Sequence, residues 1–225
     1  MSLYIVSTPI GNLSDITLRA SDILKSVDLV LAEDTRQTRK LMNFLGINPP
    51  MSTYHDFNKE KVTPKLVISL KEGKEIALVT DAGTPGVADP AFFLVRAAIR
   101  EEINVVPVPG ASAFLAALVA SGLPTDRFVF ENFLPNKSAR RRKLLDSLRS
   151  EPRTVIFYET PHRILKTLSD IKDVLGDIQV VIARELTKTH EEFLRGTPQE
   201  LLMHFEKIKP RGEMVVLFNV RCREF

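Results

Sequence analysis

The hydrophobic residues of this chain fall into short branched runs, separated by longer stretches where apolar positions recur at helical spacing. Leu3-Tyr4-Ile5-Val6, Asp28-Leu29-Val30-Leu31-Ala32, Ile76-Ala77-Leu78-Val79 and Asn104-Val105-Val106-Pro107-Val108 have the length and branching of strands buried on both faces. A weaker strand is expected near Ser52-Thr53-Tyr54. Between these runs the pattern predicts helices over 17–26, from Glu33-Asp34-Thr35-Arg36 to about Leu45, up to about Gly73, over 92–99 and over 111–120. In the second of these, Leu41, Phe44 and Leu45 are expected on the buried side. Arg36, Arg39, Lys40 and Asn43, at i, i+3, i+4 and i+7, share another face. Strands that alternate with helices predict a mostly parallel sheet.

The alternation breaks at Ser121-Gly122-Leu123-Pro124 and then restarts. Strands are predicted over 127–133, 154–158, 179–183, 192–195 and 214–219, and helices over 136–148, 161–175 and 197–206. Ile164, Leu165, Leu168, Ile171 and Leu175 form one apolar stripe, and Thr197-Pro198-Gln199-Glu200 is a capped helix start. The expectation is an α/β protein of two α/β domains, residues 1–121 and 122–225, with mostly parallel or mixed sheets.

One segment organises the rest. The run ending at Val79 feeds Thr80-Asp81-Ala82-Gly83-Thr84-Pro85-Gly86-Val87-Ala88-Asp89-Pro90, and a helix follows. Ordinary strand-to-helix turns need about two to six residues. This longer, glycine- and proline-bearing loop exposes backbone beyond the carboxyl end of a buried strand, where open α/β sheets bind ligands. The loop is neither G-x-x-x-x-G-K-[ST] nor G-x-G-x-x-G, so the P-loop and dinucleotide fingerprints are excluded.

The chain has 225 residues, 44% of them hydrophobic and 26% charged, which is ordinary for a globular protein. No apolar run is long enough to span a bilayer. The N-terminus enters a strand without a basic segment, so no signal peptide is expected. The single Cys222 fits a reducing cytoplasm. His55, His162, His190 and His204 are scattered without ligand spacing, so no metal is expected.

The net charge is only +3, but Lys137-Ser138-Ala139-Arg140-Arg141-Arg142-Lys143 concentrates cations with no acidic residue beside them in sequence. Lys137, Arg140, Arg141, Arg142 and Lys143, with Arg36, Arg39 and Lys40 as a second patch, are the candidate phosphate contacts. No motif of paired aromatics is evident, so recognition by shape and backbone is expected. Glu33, Asp34, Asp81, Glu159 and Glu185 stand at strand ends and are candidate bases. Glu33 and Asp34 could instead cap the following helix, and Glu185 could pair with Arg184.

Several segments occur together in order: Pro9-Ile10-Gly11-Asn12-Leu13, Ala32-Glu33-Asp34-Thr35-Arg36, Asp81-Ala82-Gly83-Thr84-Pro85 and Pro107-Val108-Pro109-Gly110-Ala111-Ser112-Ala113. Phe157-Tyr158-Glu159-Thr160-Pro161-His162-Arg163, Ala183-Arg184-Glu185-Leu186-Thr187-Lys188 and Gly212-Glu213-Met214-Val215 follow. Over essentially its whole length the chain resembles the ribosomal RNA small-subunit methyltransferase I family, a branch of the tetrapyrrole-methylase-like (class III) methyltransferases. The resemblance implies S-adenosylmethionine held in a cleft between two domains, and 2′-O-methylation of a cytidine of small-subunit ribosomal RNA near the decoding centre. It also implies a homodimer, and with the cysteine usage a cytoplasmic one is expected. Carried over by matching segment, Pro9, Ile10, Ala82, Gly83, Thr84, Val87, Ser112, Ala113, Tyr158, Glu159, Ala183 and Arg184 are the implied cofactor residues. The Glu33-Asp34-Thr35-Arg36 corner belongs to the implied substrate side. Asn132 and Ala91 stand where relatives usually carry glycine, and many relatives continue past the position of Phe225. The alternatives are a methyltransferase of the same fold acting on a small tetrapyrrole, which needs no basic helix, and a non-catalytic nucleotide- or RNA-binding module.

Overall fold

The structure is a computed structural model that describes residues 1–222, so positions 223–225 of the predicted second domain lie outside the described residues. The chain divides into two compact units, Met1–Ser112 and Ala113–Phe225.

The first unit runs β1 (Ser2–Val6), α1 (Leu18–Ser26), β2 (Leu29–Ala32), α2 (Thr35–Phe44), β3 (Met51–Thr53), α3 (Lys59–Lys71), β4 (Ile76–Leu78), α4 (Ala91–Arg100) and β5 (Asn104–Val108). Its sheet has the order β3-β2-β4-β1-β5, and every pairing is parallel. The period of two along β4 shows why both faces need apolar residues. Ile76 and Leu78 point into a core with Leu66 and Leu70 of α3 and Leu94 and Ala98 of α4. Ala77 and Val79 point into the opposite core, with Leu24 of α1 and Leu41 and Met42 of α2. The helices that follow β1 and β2 therefore lie on one face, and the helix that follows β4 lies on the other. β4 sits between β1 and β2, so its carboxyl end is a topological switch point on both sides, the place in open α/β sheets where ligands bind.

One detail of the predicted packing differs. α2 buries Thr38, Leu41 and Met42, while Phe44 is exposed. Leu41 and Leu45 pack into the core shared with Ala77 and Val79 as expected, and Met42 takes the inner position expected of Phe44.

The second unit runs α5 (Ala113–Ser121), β6 (Phe128–Phe133), α6 (Ser138–Ser147), β7 (Thr154–Glu159), α7 (Ile164–Leu175), β8 (Val180–Arg184), β9 (Glu192–Gly196), α8 (Pro198–Lys207) and β10 (Met214–Phe218). Its sheet order is β6-β7-β10-β8-β9. β6 and β7 pair in parallel, and the other pairings are antiparallel. The α7 stripe packs as predicted at Ile164, Leu168 and Ile171, but Leu165 turns outward. α8 begins with the expected reciprocal cap between Thr197 and Glu200.

The units divide earlier than the sequence break at 121/122 suggests. α5 packs against β7, β8 and β10 of the second sheet. Its last carbonyls accept hydrogen bonds from the Arg195 guanidinium, to Ser121 O at 3.0 Å and to Ala120 O at 2.6 Å. A cation on helix-terminal carbonyls is favourable both as a cap and against the helix dipole.

Candidate functional site

In the first unit, the carboxyl ends of β1, β4 and β5 are fastened to one another. Thr8 and Gly83 exchange backbone hydrogen bonds of 2.8 and 3.1 Å, and the Thr8 hydroxyl donates to Thr80 O at 3.1 Å. The Thr84 hydroxyl donates to Ala111 O at 3.1 Å, so the Ser7 hydroxyl, 2.9 Å away, supplies the proton of its contact with Thr84. Two glycines make this possible. Gly83 adopts φ +88°, and a Cβ on Gly110 would sit 2.9 Å from the Ser7 Cβ. Pro9, Ile10 and Gly83 are buried, Thr84 and Val87 half-buried and Ala82 exposed, so this part of the loop is a braced backbone segment with one open edge.

The loop beyond is held by Asp89, which sequence reasoning did not single out. Both its carboxylate oxygens accept from the Gly86 amide at 2.9 Å, and one accepts from the Ala91 amide at 2.8 Å. Burial raises its pKa above the ordinary aspartate value. The Asp-Pro-Ala sequence at a helix start was the available signal, an aspartate placed to cap α4. Between Gly86 and Asp89, Ala88 is held at φ 69°, an uncommon conformation for a residue with a side chain.

The five candidate carboxylates meet different fates. Asp34 caps α2 through the Arg36 amide at 2.8 Å and pairs with the Arg36 guanidinium, which lowers its pKa to about 2. Glu159 is buried. It accepts from the Thr167 hydroxyl at 2.6 Å and the Thr160 amide at 2.8 Å, with Arg163 Nε at 3.4 Å, so its carboxylate is a brace inside the second unit. Glu185 pairs with Lys188 at 3.0 Å, not with Arg184, whose partner is Glu192. Glu33 and Asp81 remain. They stand at the carboxyl ends of the adjacent strands β2 and β4. Burial and then the negative charge of Asp81 raise the Glu33 pKa, against a 3.2 Å hydrogen bond from the Thr80 hydroxyl. Burial also raises that of Asp81, which accepts from the Asp34 amide at 3.0 Å.

In the second unit, Tyr158 is half-buried among rings, and its hydroxyl meets the backbone of Phe114. Ala183 is buried and Arg184 half-buried at the end of β8. The turn that follows is strained, with Glu185 at φ 50° and Thr187 at φ 65°. Ser112 and Ala113, half-buried, stand where the two units join in sequence.

The basic run is corrected in part. Arg141 is only 2% exposed. Its guanidinium pairs with Asp170 at 2.6 and 2.7 Å and donates to Pro135 O and Asn136 O at 3.3 Å. Arg142 pairs with Asp173 at 2.6 Å. The acids that balance them lie on α7, about thirty residues away in sequence, and so do not register in a local count of charge. Arg141 is thus a buried tie between α6 and α7, not a surface contact. Lys137, Arg140 and Lys143 are exposed. In the second patch Arg36 pairs with Asp34, Arg39 bonds Asn48, and Lys40 bonds the Gln37 side chain at 2.7 Å. Among the described residues no His/Cys/Asp/Glu group suits a metal ion, and no helix is long and apolar enough to cross a membrane.

Comparison with known proteins gives a consistent set of relatives. The family model for Tetrapyrrole (Corrin/Porphyrin) Methylases matches residues 2–202. A protein of Synechocystis sp. named ribosomal RNA small subunit methyltransferase I is 51% identical over 216 residues, covering 96% of this chain and 77% of the relative. A protein of the same name from Thermotoga maritima is 49% identical over 217 residues, covering 96% of this chain and 97% of the relative. Among solved structures, diphthine synthase is 16% identical and superposes with a TM-score of 0.74 over 97% of this chain and 90% of that one, a likeness of fold.

Proposed function

The chain belongs to the ribosomal RNA small subunit methyltransferase I family within the tetrapyrrole methylases, and from that membership we propose that it methylates a ribose 2′-hydroxyl of a cytidine in small-subunit ribosomal RNA, near the decoding centre. Methyltransferases of this family use S-adenosylmethionine. The observation that carries the proposal is identity near one half along almost the whole chain to proteins so named. We propose further that it works as a cytoplasmic homodimer.

The first unit suits such a cofactor. Its floor at Ala82, Gly83 and Thr84 presents backbone, and the carboxylates at its edge, Glu33 and Asp81, suit a molecule with a sulfonium, an ammonium and ribose hydroxyls. Pro9, Ile10, Val87, Ser112 and Ala113, with Tyr158, Ala183 and Arg184 of the second unit, are the further residues proposed to hold it. Glu159 contributes by bracing the end of β7. The bound cofactor supplies an electrophilic methyl group. The chain must then orient the acceptor oxygen, exclude water and take up the hydroxyl proton.

Glu33 is the proposed proton acceptor. Burial and Asp81 oppose its ionisation, so it titrates above the ordinary glutamate value of 4.5. The carboxylate needed to accept a proton is lost as pH falls through that raised value. Methyl transfer should therefore show an acid limb above 4.5 that Glu33→Gln removes together with most of kcat, roughly a hundredfold loss for a general base. An unchanged pH profile in that variant would exclude Glu33.

Phosphate contact is assigned to Lys137, Arg140 and Lys143, with a smaller share from Arg36, Arg39 and Lys40. Replacing Lys137, Arg140 and Lys143 with alanine should leave cofactor affinity intact. It should flatten the salt dependence of RNA binding by about 0.7 to 0.9 in log–log slope per lost contact. An unchanged slope would return α6 to an ordinary solvated surface. The function itself is tested by methyl transfer from labelled cofactor to isolated small subunits, to naked ribosomal RNA and to a tetrapyrrole. Label on RNA is expected. Label on the tetrapyrrole alone would reverse the substrate assignment.

A further inference from the structure

Rings from three elements gather at the β6 edge of the second sheet. Phe114 of α5 stacks on Phe130 of β6, centroids 4.8 Å apart. Phe130 meets Tyr158 of β7 edge-on at 5.0 Å, and Phe133 meets the same Tyr158 at 5.5 Å. Phe130 and Phe133 are three positions apart, so on a regular strand they would face opposite sides of the sheet. They share Tyr158 because the strand is irregular between them. The β6–β7 register shifts between Phe130 and Phe133, and Asn132 adopts φ 55°. Such a bulge re-aims a side chain and is over-represented at sheet edges and beside active sites.

The bulge brings a large apolar ring to a place where burial does not reward it. Phe133 remains 49% exposed, although Tyr158, Phe130 and Phe114 behind it are partly buried. The next residues give a reason for this placement. Leu134 is buried, and its carbonyl accepts from Arg163 at 2.6 Å, which fixes the chain where it leaves β6. Lys137 and Arg140 follow within two turns of chain, exposed and outside the ion pairs that neutralise Arg141 and Arg142. An open ring on a rigid aromatic backing, with exposed cations a few residues on in the chain, is the combination that holds single-stranded nucleic acid. The ring stacks a base, and the cations take the phosphates.

We propose that Phe133 is a stacking platform for one unpaired base of the RNA substrate, positioned by the Asn132 bulge and backed by Tyr158, with the adjoining phosphates on Lys137 and Arg140. This rests on the RNA reading above and adds to it a contact that favours an unstacked nucleotide over a duplex. Any base has a π-face, so the contact selects for strandedness and not for sequence.

The test uses the full chain with a single-stranded oligoribonucleotide carrying 2-aminopurine, whose fluorescence is quenched on stacking, and an otherwise identical duplex. Wild type should quench the single strand. Phe133→Ala should lose the quenching and bind the single strand about five- to a hundredfold more weakly. Duplex binding and S-adenosylmethionine affinity should not change, and Phe133→Tyr should restore the signal. Equal quenching and affinity in Phe133→Ala would overturn the proposal. So would a parallel loss of cofactor affinity, which would assign the ring to the cofactor. A change of oligomeric state on ultracentrifugation, with RNA affinity unchanged, would assign it to a protein interface. Methyl transfer by wild type to small subunits, run alongside, separates these outcomes from failure of the functional assignment itself.

Discussion

Gly83→Arg should abolish S-adenosylmethionine binding while leaving both units folded. Gly83 sits at φ +88°, a conformation that L side chains rarely adopt, and its amide and carbonyl both bond Thr8. A Cβ alone would meet Ile10 Cγ2 at 3.4 Å and Ala111 O at 3.7 Å, which is tight but tolerable. Gly83→Ala should therefore cost about 1–2 kcal/mol of stability, the penalty of a left-handed alanine, and weaken binding modestly. The arginine side chain adds volume and a cation to the surface proposed to receive a cationic cofactor. Titration calorimetry with both variants, each checked by circular dichroism, separates backbone strain from occlusion. A folded Gly83→Arg protein that binds with wild-type affinity would remove this loop from the cofactor site.

The largest stability effect is expected at Asp170. Asp170 and Arg141 are both buried, and the Ser138 hydroxyl also donates to this carboxylate at 2.9 Å. Asp170→Ala leaves the Arg141 guanidinium buried with only the 3.3 Å carbonyl contacts and the Ser138 hydroxyl without its acceptor. Breaking one side of such a pair costs about 3–5 kcal/mol, a large share of the roughly 5–15 kcal/mol that holds a domain together. Removing both charges with Arg141→Met and Asp170→Leu should recover most of the loss, since an apolar pair of similar volume is often no worse than the ion pair. Urea unfolding of Arg141→Met, Asp170→Leu and their double variant measures this. A double variant that loses the sum of the two single losses would show that the pair has no energetic coupling.

The same pair shows where sequence reasoning reached its limit. Periodicity located the strands well, because the inner strands β1, β2 and β4 of the first sheet face a core on both sides and need a continuous branched run. The loop after β4 was legible from its length, glycines and prolines. Its two carboxylate neighbours could be named but not ranked, since ranking required knowing that Glu159 meets Thr167 and that Glu185 meets Lys188. Arg141 looked like part of a surface cluster because its acid arrives from another helix. The aromatic group at β6 was invisible for a similar reason. It joins Phe114, Phe130 and Tyr158 across three elements, and a bulge alters the alternation that sequence patterns assume. The assignment of α5 was a matter of packing too, since a helix that is apolar all round carries no mark of the sheet it will join.

The central claim is tested most directly by the chemical position of the transferred methyl group. A ribose 2′-oxygen is accessible in single-stranded or shallow-groove RNA to a protein that reads backbone and shape. Methylation there removes the hydroxyl that attacks the adjacent phosphate in alkali. The protein would be incubated with small ribosomal subunits and methyl-labelled S-adenosylmethionine, and the recovered RNA hydrolysed in alkali. Label in an alkali-resistant dinucleotide whose 5′ residue is cytidine is the predicted result. Label recovered only in ordinary mononucleotides would mean methylation of a base, and would contradict the ribose assignment.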